Sequence, residues 1–236
     1  NSIAGGNLLL SKNPNQFHDE WPSYYKSAKG VEIISCDNEK YIDMGMMGIG
    51  TNTLGYNQKE INDEVIKAIS KSNLSTLNCY EEVELAEKLL SINTWANKCR
   101  FTRSGGEANA VAIRLARAAT GKDKVLICGY HGWHDWYLSL NLEEGDKLAS
   151  NLLPNLKIKG VPENLAGSTI AFKYNDLNEF IRLLDENKDI GAIKMEVMRN
   201  NLPEDNFLET VRSEASKRGI ALIFDECTSG FRETFG

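Results

Sequence analysis

Two adjacent carboxylates, Asp225 and Glu226, follow an apolar stretch that predicts a buried strand at Ile220–Phe224. Burying two such groups at the end of a strand is costly unless a cation meets them. A metal ion, an arginine or a protonated heterocyclic nitrogen would each supply that charge. The pair therefore predicts a site for a positively charged group at the end of this strand.

A glycine-containing turn within Phe101–Gly121 predicts a second kind of binding. Ser104 and Glu107 have the spacing of a capping box, which makes Ser104 the expected N-cap of a helix. Gly105 and Gly106 then lie in the first helical turn, where backbone N–H groups lack helical partners and attract a phosphate. The alternative interpretation is a well-capped helix whose glycines only permit close packing.

Polar and aromatic residues also follow two further predicted strands. Tyr130 comes directly after the strand expected at Lys124–Cys128, where its ring could stack on a flat heterocycle. His131 and His134 have no third ligand at a recognisable spacing, so no metal site is predicted. Glu196 ends another apolar strand, and from the residues alone we interpret it as a structural carboxylate that accepts hydrogen bonds.

The elements expected to position these residues alternate along the chain. Strands are predicted at Lys98–Thr102, Lys124–Cys128, Thr169–Phe172, Ile190–Met195 and Ile220–Phe224, with helices after the glycine turn and at Asp176–Asn187 and Phe207–Arg218. The first of these helices is expected to bury the face formed by Ala108, Val111, Ala112, Leu115 and Ala119. Such alternation predicts an α/β fold with a mostly parallel sheet covered by helices, whose ligands bind beyond the carboxyl ends of the strands.

A phosphate site, an aromatic ring and an anion for a ring nitrogen, all at one sheet edge, together describe a pyridoxal phosphate pocket. Residues 1–50 are expected to form an N-terminal segment with a β-hairpin at Val31–Cys36 and Lys40–Met44. Residues 51–236 are expected to form the cofactor-binding domain.

Composition narrows the class of protein. The 236 residues are 42% hydrophobic and 25% charged, with a net charge of −6, which is typical of a globular protein and argues against nucleic acid or an anionic membrane as the main partner. The sequence has neither a signal peptide nor an apolar run of membrane-spanning length. Five scattered cysteines without a C-x-x-C pair favour buried thiols in a reducing cytoplasm over disulfides or zinc.

Several of these motifs, taken together, resemble a known family. The segments Ser104–Ala108, Ala112–Arg117, Tyr130–Gly132 and Phe224–Arg232 resemble the class III pyridoxal-phosphate-dependent aminotransferases, and within that family the glutamate-1-semialdehyde aminomutases most closely. The resemblance implies the large domain of pyridoxal phosphate fold type I. It also implies amino-group transfer on a small amino acid, a semialdehyde or a related amine, and a homodimer as the complete enzyme.

The resemblance also implies roles for individual residues. Gly105 and Gly106 would hold the cofactor phosphate, Tyr130 would stack on the pyridine ring, and Asp225 would pair with the ring nitrogen and keep it protonated. The full set of implied cofactor-binding residues is Ser104, Gly105, Gly106, Tyr130, His131, Glu196, Asp225 and Cys227. Two of them depart from the family pattern: Gly106 replaces a usual threonine, and Cys227 replaces a usual valine. Val197, which follows Glu196, replaces a usual proline.

The family's Schiff-base lysine is expected a few dozen residues beyond the Asp-Glu motif, past Gly236, so neither Lys194 nor Lys217 is assigned to that role. The chain is accordingly expected to be truncated before the C-terminal domain. Two alternatives stay open. One is a nicotinamide-dependent oxidoreductase that uses the glycine turn for pyrophosphate, although the sequence lacks a clear G-x-G-x-x-G turn. The other is a non-catalytic remnant that acts through a subunit interface.

Overall fold

The computed structural model describes residues 2–45, 47–48, 50–72, 74–143, 147–148, 157–198, 200–232 and 234–235. The chain divides into two compact units, Asn1–Tyr80 and Glu81–Gly236. The expected assignment of residues 1–50 and 51–236 to separate functional parts stays a prediction.

The first unit contains a three-stranded antiparallel sheet of order β1-β2-β3. Its strands are β1 (Tyr25–Lys29), β2 (Glu32–Ser35) and β3 (Lys40–Ile42), and they precede helix α1 (Lys59–Lys71). The pairing of β2 with β3 confirms the predicted hairpin, whose turn includes Asn38 at φ 66°. Strand β1, which pairs along the other edge of β2, was not predicted from the sequence.

The second unit contains a four-stranded sheet of order β5-β4-β6-β7, in which all neighbours are parallel. Its elements are α2 (Tyr80–Ile92), α3 (Gly105–Thr120), β4 (Lys124–Cys128), α4 (Asp135–Leu138), β5 (Thr169–Ala171), α5 (Leu177–Glu186), β6 (Ile190–Glu196), α6 (Phe207–Arg218) and β7 (Ala221–Asp225). The predicted parallel sheet with helices is confirmed.

Two apolar clusters cover the two faces of this sheet, because alternate residues of a strand point to opposite sides. On one face, Leu126 and Met195 pack with residues of α5 and α6, including Phe180 and Phe207. On the other face, Val125, Ile127 and Ala192 pack with Ile113 and Ala116 of α3 and with Tyr137 of α4. Every residue of β6 is buried, so this central strand can present functional side chains to a ligand only at its carboxyl end.

Helix α3 begins and ends as its sequence predicts. The Ser104 hydroxyl accepts a hydrogen bond from the Glu107 N–H at 3.2 Å, and the Glu107 carboxylate accepts one from the Arg103 N–H at 2.8 Å. Gly121 ends the helix in the left-handed region at φ 66°, a conformation that glycine adopts without steric cost.

The predicted apolar face of α3 is wrong. Ile113 and Ala116 are the buried residues of the helix, whereas Leu115 is 61% exposed. Apolar residues lie almost all around this helix, so their spacing was compatible with more than one buried face.

The strand predicted at Lys98–Thr102 is also wrong, since this segment has no regular secondary structure. Among the residues that the structure describes, β5 and β7 are the edge strands of the sheet, and the segment pairs with neither of them. Thr102 instead donates its hydroxyl hydrogen to the Ser104 carbonyl at 3.1 Å.

Candidate functional site

The candidate site lies at the carboxyl ends of β4, β6 and β7. The parallel register aligns Cys128 with Met195 and Glu196 with Asp225, so the residues that follow these strands emerge at one sheet edge. This is the edge at which the sequence predicted the cofactor-binding residues.

Asp225 is a buried carboxylate at this edge, 8% exposed. Its Oδ2 atom lies 2.9 Å from Nδ1 of His131 and 3.2 Å from Nζ of Lys194. Its Oδ1 atom accepts the Cys227 backbone N–H at 3.1 Å. The predicted need for a positive charge beside this carboxylate is therefore met from within the protein, while Glu226 is exposed.

His131 is held between two hydrogen-bond acceptors. Besides its contact with Asp225, its Nε2 atom lies 3.2 Å from the Cys128 carbonyl oxygen. The imidazole is 1% exposed, so these two contacts fix its position against the Asp225 carboxylate.

Lys194 is the residue of the site that sequence analysis did not assign. It is 1% exposed in the middle of β6, between Ile127 and Ile223 in the register of the neighbouring strands. A charged residue within the otherwise apolar run before Glu196 was the available signal. That signal identifies no partner, because the neighbour of Lys194 lies on a different strand.

These contacts change the acidity of the central carboxylate. Burial raises the pKa of Asp225, but the hydrogen bond from His131 and the positive charge of Lys194 outweigh that effect, and the pKa lies well below its usual value. Asp225 is therefore an anion at neutral pH, as a partner for a protonated ring nitrogen must be.

Glu196 connects the segments that follow β4 and β7. Its Oε2 atom accepts the Tyr130 backbone N–H at 3.1 Å, and its Oε1 atom accepts the Thr228 hydroxyl at 3.3 Å. Its side chain also packs against Gly129, where an added Cβ would lie 2.4 Å from Oε2. This agrees with its interpretation as a hydrogen-bonding carboxylate that holds the site together.

The glycine turn at the start of α3 lies between these two segments. A Cβ on Gly105 would lie 4.0 Å from Sγ of Cys227. A Cβ on Gly106 would lie 2.6 Å from Nε2 of His134, and one on Gly132 would lie 3.6 Å from the Gly106 Cα. The imidazole of His134 thus occupies the space that a larger residue at position 106 would need, which explains a glycine there.

Tyr130 and its neighbours form an aromatic cluster beside the turn. The Tyr130 ring is half-buried and packs edge-on against the buried Tyr137 ring, with centroids 6.0 Å apart. Tyr137 in turn donates its hydroxyl hydrogen to the Gly129 carbonyl at 3.0 Å. These contacts fix the position of Tyr130, and its expected stacking on a cofactor ring stays a prediction.

The cysteines differ from the expectation of buried thiols. Cys128 is buried, whereas Cys36, Cys79, Cys99 and Cys227 are exposed, and all five are free thiols. Burial raises the pKa of Cys128 to about 12, with a further contribution from the negative charge of Glu196. Cys227 is thus an accessible thiol beside the glycine turn, and Cys128 is an inert one beneath it.

Two features are absent from the described residues. Within that part of the chain, no three His, Cys, Asp or Glu side chains come together as a metal-binding group. The helices described there include none that is both long and apolar enough to cross a membrane.

The chain belongs to the class III aminotransferase family, whose model matches residues 15–235. It is 31% identical over 242 residues to a 3-aminobutyryl-CoA aminotransferase from Cloacimonas acidaminovorans, covering 99% of this chain and 54% of the relative. It is 34% identical over 229 residues to a glutamate-1-semialdehyde 2,1-aminomutase from Thermoplasma volcanium, covering 94% of this chain and 53% of that relative. The chain therefore spans about half the length of the curated relatives it matches.

Solved structures agree with this assignment. An ω-transaminase from Sphaerobacter thermophilus superposes with a TM-score of 0.82 at 25% identity, over 97% of this chain and 53% of that one. The FumI protein of Sphingopyxis sp. MTA144, solved in its PLP internal aldimine form, gives a TM-score of 0.80 at 25% identity. The match covers 94% of this chain and 51% of FumI. The resemblance to class III enzymes and the fold type I architecture are both confirmed.

Pyridoxal phosphate is the cofactor that this family implies, and the residues present fit it. The first turn of α3 carries two glycines where side chains would obstruct a phosphate. The buried anion of Asp225 suits a protonated ring nitrogen, and Tyr130 lies in the adjoining segment. The donor set thus offers a partner for each polar end of the cofactor.

Proposed function

We propose that the complete protein transfers amino groups with pyridoxal phosphate, acting on a small amino acid, a semialdehyde or a related amine. The observation that carries this proposal is the buried Asp225 anion at the sheet edge, held by His131 at 2.9 Å beside the segments that enclose the glycine turn. When bound, the cofactor supplies an electron sink for negative charge at the substrate α-carbon.

The protein's own residues have distinct roles in this proposal. The backbone of Gly105 and Gly106 binds the phosphate, with Ser104 fixing the start of the helix. Asp225 would hold the proton on the ring nitrogen, and His131 orients the Asp225 carboxylate through its contact with Oδ2. Glu196 keeps the segments after β4 and β7 together, which positions Tyr130 and Cys227 on either side of the ring.

Names of relatives support amino exchange but differ in substrate. The aminotransferase from Cloacimonas acidaminovorans and the aminomutase from Thermoplasma volcanium match 99% and 94% of this chain and are named for different reactions. We propose a homodimer by family resemblance, and a cytoplasmic location because the five cysteines are free thiols. The lysine that binds the cofactor covalently is proposed to lie outside this chain.

The alternatives receive less support. A nicotinamide-dependent oxidoreductase would need a dinucleotide-binding turn, whereas the family match and the buried Asp225 favour pyridoxal phosphate. A non-catalytic remnant would retain the fold but bind no cofactor, so cofactor binding separates it from the proposal.

Alkylation of Cys227 tests the proposed binding site directly. Saturating pyridoxal phosphate is expected to slow the reaction of Cys227 with iodoacetamide by about tenfold or more, because a bound ring would cover the exposed thiol. A tenfold slowing corresponds to a free-energy difference of about 1.4 kcal/mol between the cofactor-bound and cofactor-free protein. Peptide mass spectrometry measures the extent of modification at each cysteine.

The same experiment contains its own controls. Cys36, Cys79 and Cys99 are exposed and should react equally fast with and without pyridoxal phosphate, while buried Cys128 should react only after unfolding. Inorganic phosphate alone should protect Cys227 less than the complete cofactor. Equal labelling of Cys227 with and without saturating pyridoxal phosphate would contradict the proposed site.

A further inference from the structure

Lys194 contacts the site, although the packing of its strand does not require a lysine at this position. Its side chain is 2% exposed and its ammonium lies 3.2 Å from Oδ2 of Asp225. Its strand neighbours Ile127 and Ile223 and the nearby Ala192 are aliphatic. An aliphatic residue would therefore continue the packing of this face.

Burying this ammonium is unfavourable for folding. Removing a lysine from water costs several kcal/mol, and an ion pair repays that cost only with good geometry. His131 and the Cys227 N–H already provide Asp225 with partners on both of its oxygens. The stability of the fold therefore gives no reason for a second cation here, and a charged group buried beside a binding site is a candidate for a role in function.

Several charged or titratable groups lie near Lys194 and influence its pKa. Asp225 and Cys227 face it from the end of β7, Glu196 faces it from its own strand, and His131 acts on it through Asp225. Helix α3 contributes the apolar side chains of Ile113 and Ala116 to this face. Burial lowers the pKa of Lys194, and the carboxylates of Asp225 and Glu196 oppose that change.

We propose that Lys194 is a positioning residue that shares the negative charge of Asp225 and so weakens the hold of Asp225 on a protonated ring nitrogen. The inference rests on the proposed function, since it takes Asp225 as the partner of that nitrogen. Lys194 and His131 both contact Oδ2, whereas Oδ1 accepts one hydrogen bond from Cys227 and has a second lone pair for a ligand. The ring nitrogen then binds to a carboxylate whose charge is already partly neutralised.

Spectroscopic titration of the bound cofactor tests this inference. In Lys194→Met, the pH at which the ring nitrogen of bound pyridoxal phosphate loses its proton is expected to rise by about one unit or more, because Asp225 then presents its full negative charge to that nitrogen. The absorption spectrum of the full chain saturated with pyridoxal phosphate measures this pH. Lys194→Gln, which keeps a polar donor but no charge, should give a shift of the same sign. It provides a second test of the inference if Lys194→Met fails to fold.

Two controls separate this role from a general effect of losing a lysine. Lys124→Met removes an ion pair with Asp189, 3.1 Å long, from the amino end of the neighbouring strand, and should leave the titration unchanged. In an Asp225→Asn background, Lys194→Met should cause little further shift, because Lys194 is proposed to act through Asp225.

The outcomes distinguish this inference from the proposed function. Unchanged titration in both Lys194 variants, with the cofactor bound, would overturn the inference and leave the proposed function intact. Failure of the unmodified chain to bind pyridoxal phosphate would overturn both. A pyridoxyl adduct on Lys194 after borohydride reduction would also overturn the inference, since Lys194 would then bind the cofactor covalently.

Discussion

Asp225→Asn is expected to lower amino transfer by the complete protein by about 100-fold or more, a size typical of losing one preorganised electrostatic contact in an active site. Asparagine retains the shape of the side chain but carries no charge, so it cannot keep a ring nitrogen protonated. The glycine turn before α3 is unchanged, so the cofactor should still bind through its phosphate. Turnover measures the first effect, and protection of Cys227 from alkylation measures the second.

Asp185→Asn is the matched control for that change. Asp185 is also paired with cations, Lys188 at 3.1 Å and Arg218 at 2.8 Å, but its side chain is 54% exposed. Losing an exposed pair costs little, so activity should stay close to that of the unmodified protein. Unaltered turnover in Asp225→Asn, with the protein folded, would rule out the role proposed for Asp225.

Gly129→Ala is expected to have the largest effect on folding among substitutions at the site. Gly129 lies at φ +104°, and a Cβ there would come within 2.4 Å of Oε2 and 3.0 Å of Cδ of Glu196. The variant therefore combines backbone strain with a collision at the carboxylate that binds the Tyr130 N–H. The free energy of unfolding, measured with a chemical denaturant, should fall by about 2–5 kcal/mol from the two contributions together.

Gly160→Ala isolates the collision from the strain. Gly160 has nearly the same backbone angle, φ +100°, but an added Cβ would have no atom within 4 Å. The loss of stability in Gly129→Ala should exceed that in Gly160→Ala by about 1–3 kcal/mol, the usual cost of overpacking. Equal losses would show that Glu196 moves aside freely and does not hold the two segments together.

Much of the fold could be predicted from the sequence because the central strands are continuous apolar runs. The predicted strand at Ile190–Met195 differs from β6 by one terminal residue, and the predicted helix at Phe207–Arg218 matches α6. Periodicity was less informative for α3, which is apolar on most sides. Local sequence also could not show that Lys98–Thr102 lacks a strand partner.

Features of the site that depend on one short segment could be predicted from the sequence. Contacts between segments that are distant in sequence could not. Ser104 caps α3 as expected, because its contact with the Glu107 N–H depends on neighbouring residues alone. The Glu107 carboxylate accepts the Arg103 N–H, where a standard capping box would use the Ser104 N–H. The contacts of Asp225 with His131 and Lys194 depend on the register of parallel strands far apart in sequence. A lysine in an apolar strand and a histidine in a loop give no sign of sharing one carboxylate.

That shared carboxylate also affects how the chain folds. His131 and Asp225 are 94 positions apart, and β7, which holds Asp225, follows the other three strands of the described sheet along the chain. During synthesis from the amino terminus, β4 and β6 emerge from the ribosome before β7, so His131 lacks its hydrogen-bond partner for a time and Lys194 lacks its counter-charge. Burying the Lys194 ammonium before its counter-charge is in place is unfavourable, and pairing of distant parallel strands is slow. The addition of β7 should therefore be the step at which the sheet edge and the binding site become ordered together.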